Sequence, residues 1–295
     1  MTRPLADRVA AAPISWGVCE VPDWGWQYDR RTVLQQMQEI GFAATEFGPR
    51  GFLPDAPAAK AKVLADNGLR AVGGFVPVRL HDPDHDPVPE VLTELEAYLV
   101  AGADTLVLAA ATGLAGYDER PVLDDGGWST LLTNLDRLGV AAARMGVTAT
   151  LHPHVGTMIV NDVEVRRVLM DSTIGLCLDT GHLLIGGCDP VALASEHADR
   201  ILHTHLKDVD AGWAARVRSR EVSYTDAVRK GMYRPLGQGD IDIAGIVTSL
   251  EASGFDGWYV LEQDTILSQR PADGDGPMAA VRDSVAHLLA TVAES

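Results

Sequence analysis

The chain has 295 residues, 46% apolar and 22% charged, with a formal net charge of −17. That balance describes a soluble globular protein large enough for one closed core. The acidic charge argues against nucleic acid and anionic membrane surfaces as general partners, since both are bound through clustered Lys and Arg.

Short apolar runs alternate with longer helix-like stretches. Strands are expected at 8–14, 43–47, 70–76, 104–110, 147–152, 174–179, 201–206 and 258–262. Helices are expected at 29–40, 55–67, 88–101, 128–145, 161–171, 190–198, 240–253 and 276–293. Strand–helix alternation implies parallel strands with crossover helices. Eight uninterrupted units favour a closed (β/α)8 TIM barrel over an open doubly wound sheet. The reading is one α/β domain over 1–295 with a C-terminal closing helix. Gly41, Gly68, Gly102, Gly146 and Gly254 each precede an expected strand, where a glycine ends a helix and starts a short return.

No run is apolar enough for a signal peptide core or a membrane span. Cys19, Cys177 and Cys188 form no disulfide framework, which fits a reducing cytoplasm. No glycine-rich dinucleotide fingerprint, Walker A sequence or serine-nucleophile elbow is present.

Chemistry in a barrel collects where strands finish. Here the strand ends carry Glu46, then His152 and His154, then Asp179 with His182, then His203, His205 and Lys207, then Glu262 and Asp264. Strand alternation sets His203 and His205 opposite Leu202 and Thr204, and Asp179 opposite Leu178. If the leucine faces meet the outer helices, the ionisable set points into the mouth. Imidazole and carboxylate donors suit a divalent ion, and His152, Asp179, His205 and Glu262 are the expected ligands. The alternative is a set of buried structural residues, but burying so many ionisable groups without function is costly.

Other features point less sharply. The string HDPDHDP at 81–87 reads as a solvated loop rather than a cation site. Trp16, Trp24 and Trp26 wall a pocket, form a lid or pack conventionally in the core or rim. Cys19 receives no role, and Arg234 remains open between loop and substrate contact.

These strand ends resemble those of the xylose-isomerase-like sugar isomerase/epimerase superfamily, and most of all its inosose dehydratase branch. The stretches that carry the resemblance are AATEFGPRGFLP, LHPHVGTMI, HTHLKDVD, AVRKGMYRPLGQGDIDIAGIV and GFDGWYVLEQDT, in that order along nearly the whole chain. The resemblance implies a metal-dependent barrel using manganese or cobalt, with zinc also compatible. It implies ligands Glu, Asp, His and Glu from the fifth to eighth strands, the last three mapping onto Asp179, His205 and Glu262. His152 stands in place of the first glutamate, which isomerases and epimerases use with the last one as a proton-transfer pair. His182 falls where relatives have a substrate-contacting histidine. The opening SWGVCEVPDWGW departs from the Asn-Asp-Asp type loop of inosose dehydratases.

The implied activity is dehydration of an inosose-like polyhydroxy ketone. The alternatives are a metal-dependent keto-sugar isomerase or epimerase and a non-enzymatic binding module. His154 or His182 is the expected acid or base, since imidazole titrates near neutrality. Lys207 is expected beside the ketone oxygen, the alternative being a rim lysine paired with Asp208 or Asp210. Glu46 is expected to orient hydroxyls or take a proton, and Glu262 to join the catalytic set. A homo-oligomer is compatible with this reading.

Overall fold

The computed structural model describes residues 3–114, 119–272 and 274–293. The expected 1–295 span therefore has residues 1, 2, 115–118, 273, 294 and 295 outside the described residues. The strands are β1 Val9–Ala11, β2 Ala44–Thr45, β3 Arg70–Ala71, β4 Gly73–Val78, β5 Thr105–Ala110, β6 Thr148–Leu151, β7 Gly175–Asp179, β8 Ile201–Leu206, β9 Asp208–Val209, β10 Tyr233–Arg234 and β11 Tyr259–Leu261. The helices are α1 Arg30–Ile40, α2 Pro57–Asp66, α3 Val88–Ala101, α4 Asp125–Arg144, α5 Asp162–Asp171, α6 Thr180–Gly186, α7 Pro190–Glu196, α8 Ala211–Arg218, α9 Tyr224–Arg229, α10 Ile243–Ser253 and α11 Met278–Ala293.

Nine strands form one parallel sheet in the order β3-β2-β1-β11-β8-β7-β6-β5-β4. Its two ends, β3 and β4, are consecutive in the chain around Val72, so together they make the third of eight barrel positions. The break has a local cause. The Val72 carbonyl accepts from Asp104 and Thr105 on one side, while the Val72 N–H donates to Thr45 on the other. Gly73 then passes so close to Thr105 that a Cβ would run into its carbonyl oxygen, so only glycine fits.

The eight-unit TIM-barrel reading therefore holds, with most strands shorter than expected, while the third position runs on to Val78 and β8 keeps its expected span. The first ends at Ala11 because Pro13–Trp16 turns into a 3₁₀ helix. All five helix-exit glycines take positive φ. Helix α4 starts before 128, because Asp124 caps it through Gly127 N (2.8 Å) and glycines at 126 and 127 hide the start. The sequence reading did not include α6, or the α8, α9 and antiparallel β9–β10 segment between the seventh and eighth units. No helix among the described residues is long and apolar enough to cross a membrane.

Two apolar regions hold the barrel. A large cluster lies between the strands and the helices. A small one fills the lower interior with Ala10, Ala12, Ala44, Val72, Trp258 and Val260. Trp258 plugs the base, its ring under the guanidinium groups of Arg3 (4.9 Å) and Arg70 (5.0 Å). Leu202 faces outward as alternation requires, but is 41% exposed and not covered by a helix.

Candidate metal centre

Each strand that builds the site turns from apolar to ionisable in two-residue steps. On the eighth position Val260 is followed by Glu262 and Asp264; on β8, His203 and His205 are followed by Lys207. All these side chains are buried or nearly so. His205, Lys207, Glu262 and Asp264 line a cavity of about 780 Å³, whose apolar lining includes Trp24, Phe47, Leu53 and Phe75. A second cleft of about 1030 Å³ lies outside the barrel beside α5 and α7. Among the described residues, every group able to hold a metal ion belongs to the barrel mouth.

Asp179 is the centre of the set. It ends β7 and caps α6, accepting from His182 N at 2.7 Å. That bond starts α6 so that His182 lies behind His154, with its Nε2 3.3 Å from Lys207 Nζ. Its second oxygen lies 3.0 Å from His152 Nε2, 3.6 Å from His205 Nδ1 and 3.4 Å from Lys207 Nζ. Glu262 lies 3.3 Å from His205 Nδ1 and 3.0 Å from Lys207 Nζ. Glu46, at the end of β2, accepts from Nε2 of both His203 and His205 at 2.9 Å. The rings of His154 and His182 lie 3.7 Å apart.

Lys207 is not a rim residue. It is buried, and its ammonium reaches Asp264 at 2.7 Å besides Glu262 and Asp179. Neither Asp208 nor Asp210 is its partner. Asp208 turns to the following loop and accepts from the backbone of Gly237, Gly239 and Ile241. Asp210 caps α8 and meets Arg234 at 3.6 Å.

Burial and charge divide the titrating groups. Burial alone would raise Asp179, but the Lys207 ammonium, His182 and the His152 hydrogen bond hold its carboxyl well below the usual range. Burial would lower Lys207, yet Asp179, Asp264 and Glu262 hold it well above its ordinary value. The same opposition ends with His205 raised, by Glu262 and Glu46. For Glu46, burial is outweighed by His205 and His203, and the carboxyl is lowered. Burial raises Glu262 despite His205 and Lys207. Burial pushes His152 down to about 3 and His154 to about 4, and drives His182 well below its usual value. At neutral pH these three imidazoles are uncharged, each with one N–H and one lone pair.

The donor set fits a divalent ion. Ligand atoms of Asp179, His205 and Glu262 lie within 4.8 Å of one another. His205 Nδ1 faces both carboxylates, yet is buried with no hydrogen-bond partner among the described residues. Two carboxylates around one imidazole nitrogen demand a positive charge there, either a proton or a cation. His152 groups with Asp179 and His182, and with Cys177 and His205, beside that triad.

Of the weaker sequence features, Trp24 lines the cavity and donates to the Thr265 carbonyl at 2.9 Å, while Trp16 is buried and bonds Gln36. Trp26 packs edge-on against Tyr28. The 81–87 loop pairs its acids with Arg79 and Arg137, as a solvated loop does. Cys19 lines the cavity, and burial pushes its thiol up to about 12.

Sequence reasoning missed a chain of hydrogen bonds. Tyr233 meets Tyr224 at 3.0 Å, and Tyr224 donates to Asp264 at 2.5 Å. Thr180 Oγ1 also holds the Lys207 backbone on both sides, at 2.6 and 2.8 Å. Asp264 was signalled by its two-residue step from Glu262. Nothing local marks Tyr224, which reaches the mouth from α9.

The sequence profile described as "Xylose isomerase-like TIM barrel" matches residues 34–290. The rhizopine catabolism protein MocC of Rhizobium meliloti is 33% identical over 88% of this chain and 82% of its own length. The inosose dehydratase of Geobacillus kaustophilus is 32% identical over 87% of each chain. The solved structure of an L-ribulose 3-epimerase shares the fold with a TM-score of 0.69, at 17% identity over 97% of this chain and 95% of that one. With the profile spanning most of the barrel and relatives above 30% identity along nearly all of it, the chain belongs to the xylose isomerase-like TIM barrel family.

Proposed function

We propose that this protein is a metal-dependent carbon–oxygen lyase that dehydrates an inosose-like polyhydroxy ketone, acting as a single unit over its whole length. The observation that carries the reading is the composition of the mouth. Asp179, His205 and Glu262 converge there, while β6 runs out into His152 and His154 and brings no glutamate. The resemblance assigns proton transfer in isomerases and epimerases to a glutamate pair, and only Glu262 of that pair is present. Elimination needs a base, a stabilised enolate and a proton for the leaving oxygen, not a carboxylate on each face. Relatives named inosose dehydratase, 25% to 32% identical over 86% or more of this chain, support the same choice.

Asp179, His205 and Glu262 would hold the ion, with His152 as fourth ligand or immediate neighbour. Oxygen and imidazole donors favour manganese, cobalt or zinc. When bound, the ion supplies Lewis acidity for a ketone oxygen.

The remaining steps belong to side chains. Lys207 keeps its charge and can hydrogen-bond an oxygen that turns negative as the α proton leaves. His154 donates through Nδ1 to the Val155 carbonyl at 2.6 Å, so its proton-accepting atom is Nε2. That atom takes the α proton, the C=C bond forms, and the β C–O bond breaks. The imidazolium then returns the proton to the departing hydroxide as water, and the enol relaxes to a diketone. Glu46 binds the histidines rather than standing ready to take a proton, so its role lies in orientation.

Metal-replete protein incubated with an inosose should release an ultraviolet-absorbing product lighter by one water. Solvent deuterium entering the substrate without loss of water would identify an isomerase or epimerase instead. Binding without turnover across a panel of polyhydroxy ketones would leave a binding module and overturn the reading.

A further inference from the structure

We propose that Glu46 is a positioning residue for the metal centre: held by His203, it clamps Nε2 of His205 and so presents Nδ1 of His205 to Asp179 and Glu262. The proposal rests on the metal-dependent reading above and deepens it.

Glu46 and His205 come from barrel strands that are not neighbours. Two strands, β1 and β11, separate β2 from β8 in the sheet. The contact therefore runs across the interior. Glu46 is held at its root, because its N–H donates to the Ala11 carbonyl at 2.9 Å and the next residue donates to Gly73 at 2.8 Å. A carboxylate only accepts, so both histidines facing Glu46 Oε1 donate through Nε2. His205 with its proton on Nε2 carries its lone pair on Nδ1, the nitrogen that faces Asp179 and Glu262. An imidazole that ligates a metal through one nitrogen is commonly oriented by a carboxylate at the other.

His203 explains why the clamp stays aimed. It sits one two-residue step below His205, fully buried, and shares the same Glu46 oxygen at 2.9 Å. From that depth it cannot touch a substrate. Its fit is to Glu46, which it keeps from swinging up into the cavity.

The test is divalent metal affinity of the full chain, free of substrate. Mn²⁺ and Co²⁺ binding to stripped protein is measured by calorimetry, with the Co²⁺ visible spectrum as a report on ligand geometry. Glu46→Gln cannot accept from both histidines and is expected to raise Kd by roughly 10–100-fold with an altered Co²⁺ spectrum. His203→Gln, which loosens the clamp but leaves the carboxylate, is expected to raise Kd by only a few fold, roughly 2–5, and serves alone if Glu46→Gln does not fold. Glu46→Asp should fall between the parent and Glu46→Gln. A folded Glu46→Gln that binds within about threefold of the parent, or that loses only melting temperature, overturns the inference while leaving the metal centre intact. A parent that takes up neither ion overturns both it and the metal-dependent reading.

Discussion

The barrel interior has two floors, which share β2 and the eighth strand position. The lower floor is Ala10, Ala12, Ala44, Val72, Val260 and the Trp258 plug. The upper floor holds Glu46, His152, Asp179, His205, Lys207, Glu262 and Asp264, all but Glu262 under one-tenth exposed by residue, and Glu262 with a side chain 9% exposed. One inward-facing step separates them where they share a strand: Ala44 from Glu46, Val260 from Glu262. The lower floor contributes stability through burial of apolar surface. The upper floor holds buried charge that only mutual pairing makes tolerable. Stability and chemistry are thus stacked along the barrel axis.

The largest effect expected is on the upper floor. Asp179→Asn weakens the proposed ligand set, the His152 contact and the balance around Lys207 together. Metal content after dialysis should fall close to zero and kcat/KM by roughly 10³-fold or more, beyond the loss of one stabilising donor. Retention of stoichiometric metal would show that the centre is not built on Asp179.

Lys207→Met comes next and blurs the division between floors. Removing the ammonium leaves Asp179, Glu262 and Asp264 facing one another. Denaturant unfolding of stripped protein should show a loss of roughly 3–5 kcal/mol, as when one partner of a buried pair is removed. For metal-loaded protein, kcat/KM should fall by about 10²-fold. Unchanged turnover would reduce Lys207 to a counter-ion.

Trp258→Ala tests the lower floor alone. A cavity at the base should cost about 3–5 kcal/mol, while kcat of the folded fraction stays within about twofold, as expected for distant sites that act independently. A large drop in kcat would show that the two floors are coupled.

The smallest expected effect concerns Cys19, which touches the cavity without joining its chemistry. Its raised pKa of about 12 keeps the thiol protonated through neutral pH, with reactivity growing only as pH climbs toward that value. Iodoacetamide labelling at pH 8 should be about 10³-fold slower than for free cysteine, following the thiolate fraction. Rapid labelling would show that the pocket wall opens.

The sequence by itself determined the number of βα units, the helix exits and the inward parity of the ionisable residues. These depend on spacing along one strand: a step of two keeps a side chain on one face, so His205 and Glu262 point inward wherever their strands lie. Only the tertiary structure decided who meets whom across the mouth. Alternation says nothing of stagger between strands, which sets the heights at which their ends face each other. Hence parity shows that Glu46 faces inward but not that it meets His205 across two intervening strands. Lys207 was expected at the mouth on parity, but its partner Asp264 lies 57 residues on, where no local spacing points. Tyr224 arrives from a helix with no place in the repeating pattern. Local periodicity carries the direction of a side chain; closure of the barrel supplies its partner.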